Sequence, residues 1–234
     1  MILLLLFELG YILQHSAIIF QILEISKRKN TEGISIETLL FFVIGTVCRV
    51  IWFKDSLLSS YFLTYIEVPI GVISLIVILY YYRKYSINDY LRTKVKPPFY
   101  LSFPILFIVI SIFSMFLNPG YEDEGVFSIQ TLVSGNIYSE CLGLLPQLYL
   151  IVKGSETGNI SVFYLVFLCL ARFFRLFFWV YMYLEGSHFI SLIIADVIHS
   201  VILSIFIYFY SRNKDNITLP VFLKGESNQN RKIF

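Results

Sequence analysis

The chain has 234 residues, of which 57% are hydrophobic and only 15% are charged. A typical soluble protein has about 25% charged residues, so this composition excludes a water-soluble core, a nucleic-acid binder and a disordered chain. The apolar residues are gathered in runs of about 20, the length that crosses a hydrocarbon layer about 30 Å thick. The sequence therefore predicts an all-α integral membrane protein.

Seven apolar runs follow one another along the chain and predict seven transmembrane helices. They cover residues 1–25, 34–53, 57–82, 99–117, 127–152, 160–183 and 187–210. Pro69 and Pro146 interrupt the third and fifth runs, which a helical bundle tolerates when neighbouring helices satisfy the freed carbonyl groups. Residues 1–210 are thus expected to form a single membrane domain, and residues 211–234 a short tail.

The basic residues predict an orientation. Of the 18 lysines and arginines, fourteen fall in the tail and in the loops after spans 1, 3 and 5, which all lie on one side. The opposite side holds Lys54 and the acidic run Glu122-Asp123-Glu124. Because cytosolic loops are enriched in basic residues, we expect a lumenal amino terminus and a cytosolic carboxyl terminus.

The chain contains an internal repeat, because residues 21–53 align without gaps on residues 147–179 at an offset of 126. Similarity between apolar helices alone does not explain the shared polar residues, which are Gln21/Gln147, Lys27/Lys153, Thr31/Thr157, Ser35/Ser161 and Arg49/Arg175. The offset predicts two parallel halves, at about 1–82 and 127–210, with span 99–117 as a linker. This 3+1+3 plan is that of SWEET and PQ-loop proteins, whose repeats enclose a site.

Ionisable residues inside the spans are the candidate functional groups, since a charge in the membrane is costly unless it faces a protein interior. They are Arg49 on span 2, Glu140 on span 5, Arg172 and Arg175 on span 6, and Asp196 on span 7. We expect an excess of positive charge that suits an anionic ligand, because guanidinium groups pair bidentately with carboxylates. Glu8 and Glu67 are expected to reach interfacial water. The alternative is structural pairing of Arg172 with Glu140 and of Arg175 with Asp196.

His15 lies within the first span and is a candidate pH sensor. A histidine titrates near pH 6.5 unless perturbed, between the pH of the neutral endoplasmic reticulum and that of the more acidic Golgi. The alternative is a hydrogen-bonded packing residue. The three cysteines lie in spans at unrelated spacing, so neither a lumenal disulfide framework nor a metal site is expected. No cofactor is predicted either.

Nearly the whole chain, and residues 127–186 most clearly, resembles the KDEL receptor family, Golgi receptors that capture escaped residents of the endoplasmic reticulum by a C-terminal tetrapeptide. The resemblance is carried by Leu145-Pro146-Gln147-Leu148, by the closing Glu185-Gly186, and by the segment from Gly33-Ile34-Ser35 to Arg49. It implies that Arg49 holds the terminal carboxylate of the signal and that His15 makes binding favourable only when protonated. Glu140 and Arg172 match two further polar residues of the family.

The chain departs from the family pattern where the signal's acidic side chains are read. Ala171 and Arg175 stand in place of two tyrosines, Met182 in place of an arginine and Trp52 in place of an acid, while Glu8 falls where another arginine is expected. The resemblance therefore implies either a receptor with an altered signal preference or a relative that has lost retrieval.

The last four residues bear on the route that such a receptor takes. Arg231 and Lys232 resemble a basic signal read on the cytosolic side by the COPI coat. The hypothesis is thus a receptor that binds retention signals of lumenal proteins in the Golgi membrane and returns them to the endoplasmic reticulum membrane. Membrane lipids are its other expected partners, and no enzyme activity is expected. The alternative is a transporter of a small anionic solute or an amino acid.

Overall fold

The computed structural model describes residues 2–31, 33–55, 62–89, 97–119, 128–153, 160–186 and 189–223. Regular structure in these ranges is helical, with two short 3-10 turns and eight α-helices. The α-helices are α1 Ile2–Arg28, α2 Ile36–Trp52, α3 Phe62–Asp89, α4 Phe103–Phe116, α5 Ile129–Leu142, α6 Leu145–Val152, α7 Val162–Leu184 and α8 Ile190–Leu223. Helix α8 thus continues past residue 210, where the sequence places the end of the last span.

Four of these helices are long and apolar enough to cross a membrane. They are α1 over Leu4–Arg28, α3 over Phe62–Ser86, α7 over Val162–Leu184 and α8 over Ile190–Arg212. Among the described residues the prediction of seven spans is therefore not confirmed. Helix α2 has 17 residues, α4 has 14, and the predicted fifth span is divided between α5 and α6.

Two residues, Gly143 and Pro146, lie where the fifth span is divided. Pro146 lies in the first turn of α6, where its missing N–H removes no helical hydrogen bond. Gly143, at the end of α5, lies against the side chain of Phe41 on α2, so closely that an added Cβ would lie 2.4 Å from the Phe41 Cβ. The glycine therefore lets α5 approach α2 at the point where one helix stops and the next begins.

Serine side chains cap the starts of α2 and α5. Ser35 Oγ accepts a hydrogen bond from the backbone N–H of Thr38 (3.3 Å), and Ser128 Oγ accepts one from that of Thr131 (3.3 Å). Each serine thereby satisfies a backbone donor that has no partner within the helix. Gly33 has a φ of 82°, a conformation that glycine adopts without steric cost, in the turn that leads into α2.

Positions related by the offset of 126 make reciprocal contacts across the bundle. Helix α1 packs against α7, and α2 packs against α5. Gln21 Oε1 on α1 accepts from the backbone N–H of Ser161 before α7 (3.0 Å), while Gln147 Oε1 on α6 accepts from that of Ser35 before α2 (2.7 Å). Each half thus supplies a glutamine that hydrogen-bonds the start of a helix in the other half.

Buried apolar residues form clusters on both sides of a polar layer. Along α1, Phe7 and Tyr11 belong to an aromatic cluster, whereas Ala17 and Ile18 belong to two further apolar clusters. Gln14 and His15 fall between these positions and are buried. The polar side chains of α1 therefore lie inside the bundle, enclosed by apolar packing.

Candidate ligand-binding site

Arg49 is the centre of a buried ion-pair cluster formed by three helices. Its Nη2 atom on α2 donates to Glu8 Oε1 on α1 (2.6 Å) and to Glu67 Oε2 on α3 (3.2 Å). All three side chains are at most 2% exposed. One guanidinium nitrogen therefore serves two carboxylates from different helices.

Aromatic rings surround the Arg49 guanidinium. The ring centroids of Phe7, Tyr11 and Trp52 lie 5.3, 4.1 and 4.6 Å from its Cζ atom. Rings at these distances stabilise a cation through their quadrupoles and exclude water from it. The remaining nitrogens, Nη1 and Nε, have no hydrogen-bond partner among the described residues. Arg49 thus retains donors in a buried, aromatic environment.

His15 joins the same cluster through Glu67. The His15 Nε2 atom lies 2.7 Å from Glu67 Oε1, while the other carboxylate oxygen bonds Arg49. Gly71, one turn after Glu67 on α3, faces the imidazole, and a Cβ at this glycine would lie 2.5 Å from Nε2. Glu67 therefore connects His15 electrostatically to Arg49, and Gly71 leaves space for the imidazole.

A second buried cluster contains the other predicted polar residues. Glu140 Oε2 accepts from Arg172 Nη1 (3.0 Å) and from Arg175 Nη1. Asp196 Oδ1 lies 3.3 Å from Arg175 Nη2 and 3.6 Å from Arg172 Nη1. Gln14 accepts from Arg172 Nη2 (2.7 Å) and donates to Glu140 Oε1 (2.8 Å). For Arg172 and Arg175, the structure has the ion pairs that the sequence offered as the alternative.

Tyr11 lies between the two clusters. Its ring centroid is 4.1 Å from Cζ of Arg49 and 4.9 Å from Cζ of Arg175. Its hydroxyl and the side-chain amide of Asn136 on α5 are hydrogen-bonded, 2.6 Å apart. The two arginines related by the offset of 126 therefore approach one ring on α1.

The expectation of excess positive charge was wrong. The two clusters hold three arginines but four carboxylates, because Glu8 and Glu67 are buried against Arg49 and do not reach interfacial water. A buried arginine without a partner is costly, so acids from facing helices stabilise it. A sequence signal for Glu8 existed: with Tyr11 and His15 it follows the i, i+3, i+7 spacing of one helix face.

The structure does not describe the predicted coat-binding pair. Arg231 and Lys232 lie outside the described residues. The other predicted site residues are all described and all buried: Arg49, His15, Glu140, Arg172, Arg175 and Asp196.

Apolar spanning helices around a buried, charged interior define the class of this protein as a helical, multi-pass membrane protein. Residues 30–182 match the family described as ER lumen protein retaining receptor. The chain belongs to this family, as the sequence resemblance predicted. Because the family consists of receptors, the prediction that the chain is not an enzyme is confirmed. The matched segment includes Arg49, Glu140, Arg172 and Arg175 and leaves out His15.

Individual relatives align over nearly the whole chain. The ER lumen protein-retaining receptor 2 of Xenopus tropicalis is 29% identical over 208 residues, covering 87% of this chain and 92% of the relative. The receptors of the same name in Gallus gallus and Homo sapiens are 28% and 26% identical, each covering 83% of this chain and 87% of the relative. These alignments cover a larger share of the chain than the family match over residues 30–182.

Proposed function

We propose that this protein binds the C-terminal retention signals of lumenal proteins and returns them from the Golgi membrane to the endoplasmic reticulum membrane. Family membership supports a retention receptor in general. The observation that carries the proposed site is Arg49, a buried cation enclosed by aromatic rings with Nη1 and Nε unpartnered among the described residues. A terminal carboxylate accepts such donors strongly in a dry environment.

His15 supplies the pH dependence in this proposal. When His15 is protonated, its positive charge pairs with Glu67, the carboxylate that also holds Arg49. Less of the Arg49 charge is then compensated, so a ligand carboxylate binds more tightly at acidic pH. When His15 loses its proton, Glu67 returns its full negative charge to Arg49 and the ligand is released.

The second cluster has a structural role in the proposed receptor. Glu140, Arg172, Arg175 and Asp196 carry two positive and two negative charges and pair with one another. A balanced buried network fixes the relative positions of α5, α7 and α8, because breaking it leaves an uncompensated charge. Through Tyr11 it also supports the ring that lies against Arg49.

The proposed topology places the amino terminus in the lumen and the tail in the cytosol. Two parallel halves, about 1–82 and 127–210, surround the site, with 99–117 as the linker. The reciprocal contacts of Gln21 and Gln147 support this organisation. In the cytosol the tail, residues 211–234, presents Arg231 and Lys232 to the COPI coat, and membrane lipids surround the apolar helices.

One observation favours a second function, transport of a small anionic solute or an amino acid. Buried polar side chains occur along much of α1, at Glu8, Gln14, His15 and Gln21, and a cavity of about 20 Å³ lies beside Gln21 and Gln147. A receptor needs polar groups only where its ligand binds, whereas a transporter needs them along a path. Uptake into proteoliposomes distinguishes the two, since a receptor binds without net flux.

Peptide binding to the purified protein tests the proposal. Tetrapeptides with a free carboxylate are titrated at about pH 6 and about pH 7.5, on either side of the ordinary histidine pKa. We expect tighter binding at acidic pH, and weak binding of the same peptides with an amidated terminus. Absence of pH-sensitive binding to any peptide that ends in a free carboxylate contradicts the proposed function.

A further inference from the structure

Glu8 gives the proposed binding site an unusual charge balance. The Arg49 cluster contains one guanidinium and two buried carboxylates, Glu8 and Glu67. With His15 neutral its net charge is −1, and with His15 protonated it is zero. Among the described residues, the charged groups that face Glu8 are Arg49 on α2 and Glu67 on α3.

A ligand carboxylate disturbs this balance even at acidic pH. Added beside Arg49, it brings three carboxylates to one guanidinium and one imidazolium, so the buried cluster again has a net charge of −1. An uncompensated buried charge is strongly unfavourable. A further positive charge must therefore come either from the ligand or from a proton that neutralises one of the carboxylates.

We propose that the ligand supplies this positive charge. The retention signal that binds to this site carries a cationic side chain next to its terminal carboxylate, and Glu8 binds that side chain. This inference rests on the proposed function and names the ligand class as C-terminal peptides with lysine or arginine close to the end. A signal with an acidic side chain at that position brings a fourth carboxylate to the cluster and is rejected.

The geometry permits an exchange of ion pairs. Glu8 Oε1 and Arg49 Nη2 are 2.6 Å apart, so the two groups that a zwitterionic ligand end needs are adjacent. The ligand carboxylate accepts from the unpartnered Nη1 of Arg49 and replaces Glu8 at Nη2, and the ligand cation takes the place of Arg49 at Glu8. Glu8 and Arg49 then each keep an ion-pair partner. An acidic ligand, by contrast, displaces Glu8 from Arg49 and provides no cation to pair with Glu8.

A matched peptide series tests the inference at about pH 6, the acidic condition of the binding assay described above. Three tetrapeptides with free carboxylates differ only at the penultimate residue, which is lysine, glutamine or glutamate. We expect the lysine peptide to bind the wild-type protein about tenfold more tightly than the glutamate peptide, as for one charge-assisted contact. In the Glu8→Gln variant the difference is expected to fall below about twofold.

The control variant is Glu24→Gln, which removes one negative charge from the same helix. Glu24 pairs with Arg28 at a partly exposed position away from Arg49, so the loss of its charge should leave the peptide ranking unchanged.

If Glu8→Gln does not fold, the ranking of the three peptides on the wild-type protein decides. Equal or tighter binding of the glutamate peptide overturns the inference and leaves the receptor function intact. A lysine preference that persists in Glu8→Gln overturns the assignment to Glu8, and failure of all free-carboxylate peptides refutes the proposed function itself.

Discussion

Replacing Gly71 by alanine tests whether His15 controls binding through Glu67. An added Cβ at this position would lie 2.5 Å from His15 Nε2 and 3.0 Å from Nδ1. Nonbonded heavy atoms prefer about 3.5–4.0 Å, so the imidazole must move by about 1 Å. Its 2.7 Å contact with Glu67 Oε1 is then lengthened beyond hydrogen-bonding distance.

The expected effect is on pH dependence. A hydrogen bond to a charged group contributes about 1.5–3 kcal/mol, and 1.4 kcal/mol corresponds to a factor of ten. If protonated His15 acts by compensating Glu67, its displacement should reduce the acid-to-neutral ratio of ligand affinities by about tenfold. Binding at neutral pH should change little, because a neutral imidazole leaves the Glu67 charge in place.

The assay is titration of a free-carboxylate peptide into purified wild-type and Gly71→Ala proteins at both pH values. Gly135→Ala is the matched control, since an added Cβ there meets its nearest neighbours at 3.5 Å, in ordinary contact. A Gly71→Ala protein that is folded and retains the wild-type affinity ratio refutes the role assigned to the His15–Glu67 contact.

Three further predictions follow from the buried contacts. Glu67→Gln should strengthen carboxylate binding at neutral pH and flatten its pH dependence, which the same titration measures. Asp196→Asn leaves the charge of Arg175 less compensated and should lower the free energy of unfolding by about 3 kcal/mol. The double variant Asp196→Asn/Arg175→Gln should lose less stability than the sum of the losses in the two single variants. Gln147→Ala leaves the Ser35 N–H without its acceptor and should lower stability by about 1–3 kcal/mol, measured by thermal unfolding.

Apolar run length predicted the longest helices because it reports burial in lipid directly. The first, third, sixth and seventh runs correspond to α1, α3, α7 and α8, which are long enough to span. The break between α5 and α6 was not predictable in the same way. Pro146 marks it, but its position depends on the contact between Gly143 and Phe41 of another helix.

The sequence predicted part of the candidate site, because charged residues stand out within apolar runs. A charge within an apolar run is visible in the sequence, and Arg172, Arg175 and Glu140 were found on that basis. The partners of Arg49 were missed, because pairing depends on which helix faces meet. Glu8 and Glu67 lie in the first halves of their apolar runs, toward the side assigned to the lumen, where water is an equally good partner, and only the packing of the bundle buries them.

The central claim is that Arg49 holds the carboxylate of the ligand. Removing Arg49 alone leaves Glu8 buried and unpaired, at a cost of about 3–5 kcal/mol, so lost binding could reflect unfolding. The double variant Arg49→Gln/Glu8→Gln removes both charges of that ion pair together and keeps side chains that form hydrogen bonds.

The most direct measurement compares one peptide with a free and an amidated carboxyl terminus on the wild-type protein and this double variant at about pH 6. The wild-type protein should prefer the free carboxylate by about 30-fold or more, as expected when a buried charge pair loses one partner, and the double variant should bind both forms equally weakly. Equal binding of the two forms by the wild-type protein, or an undiminished preference in the folded double variant, contradicts the claim.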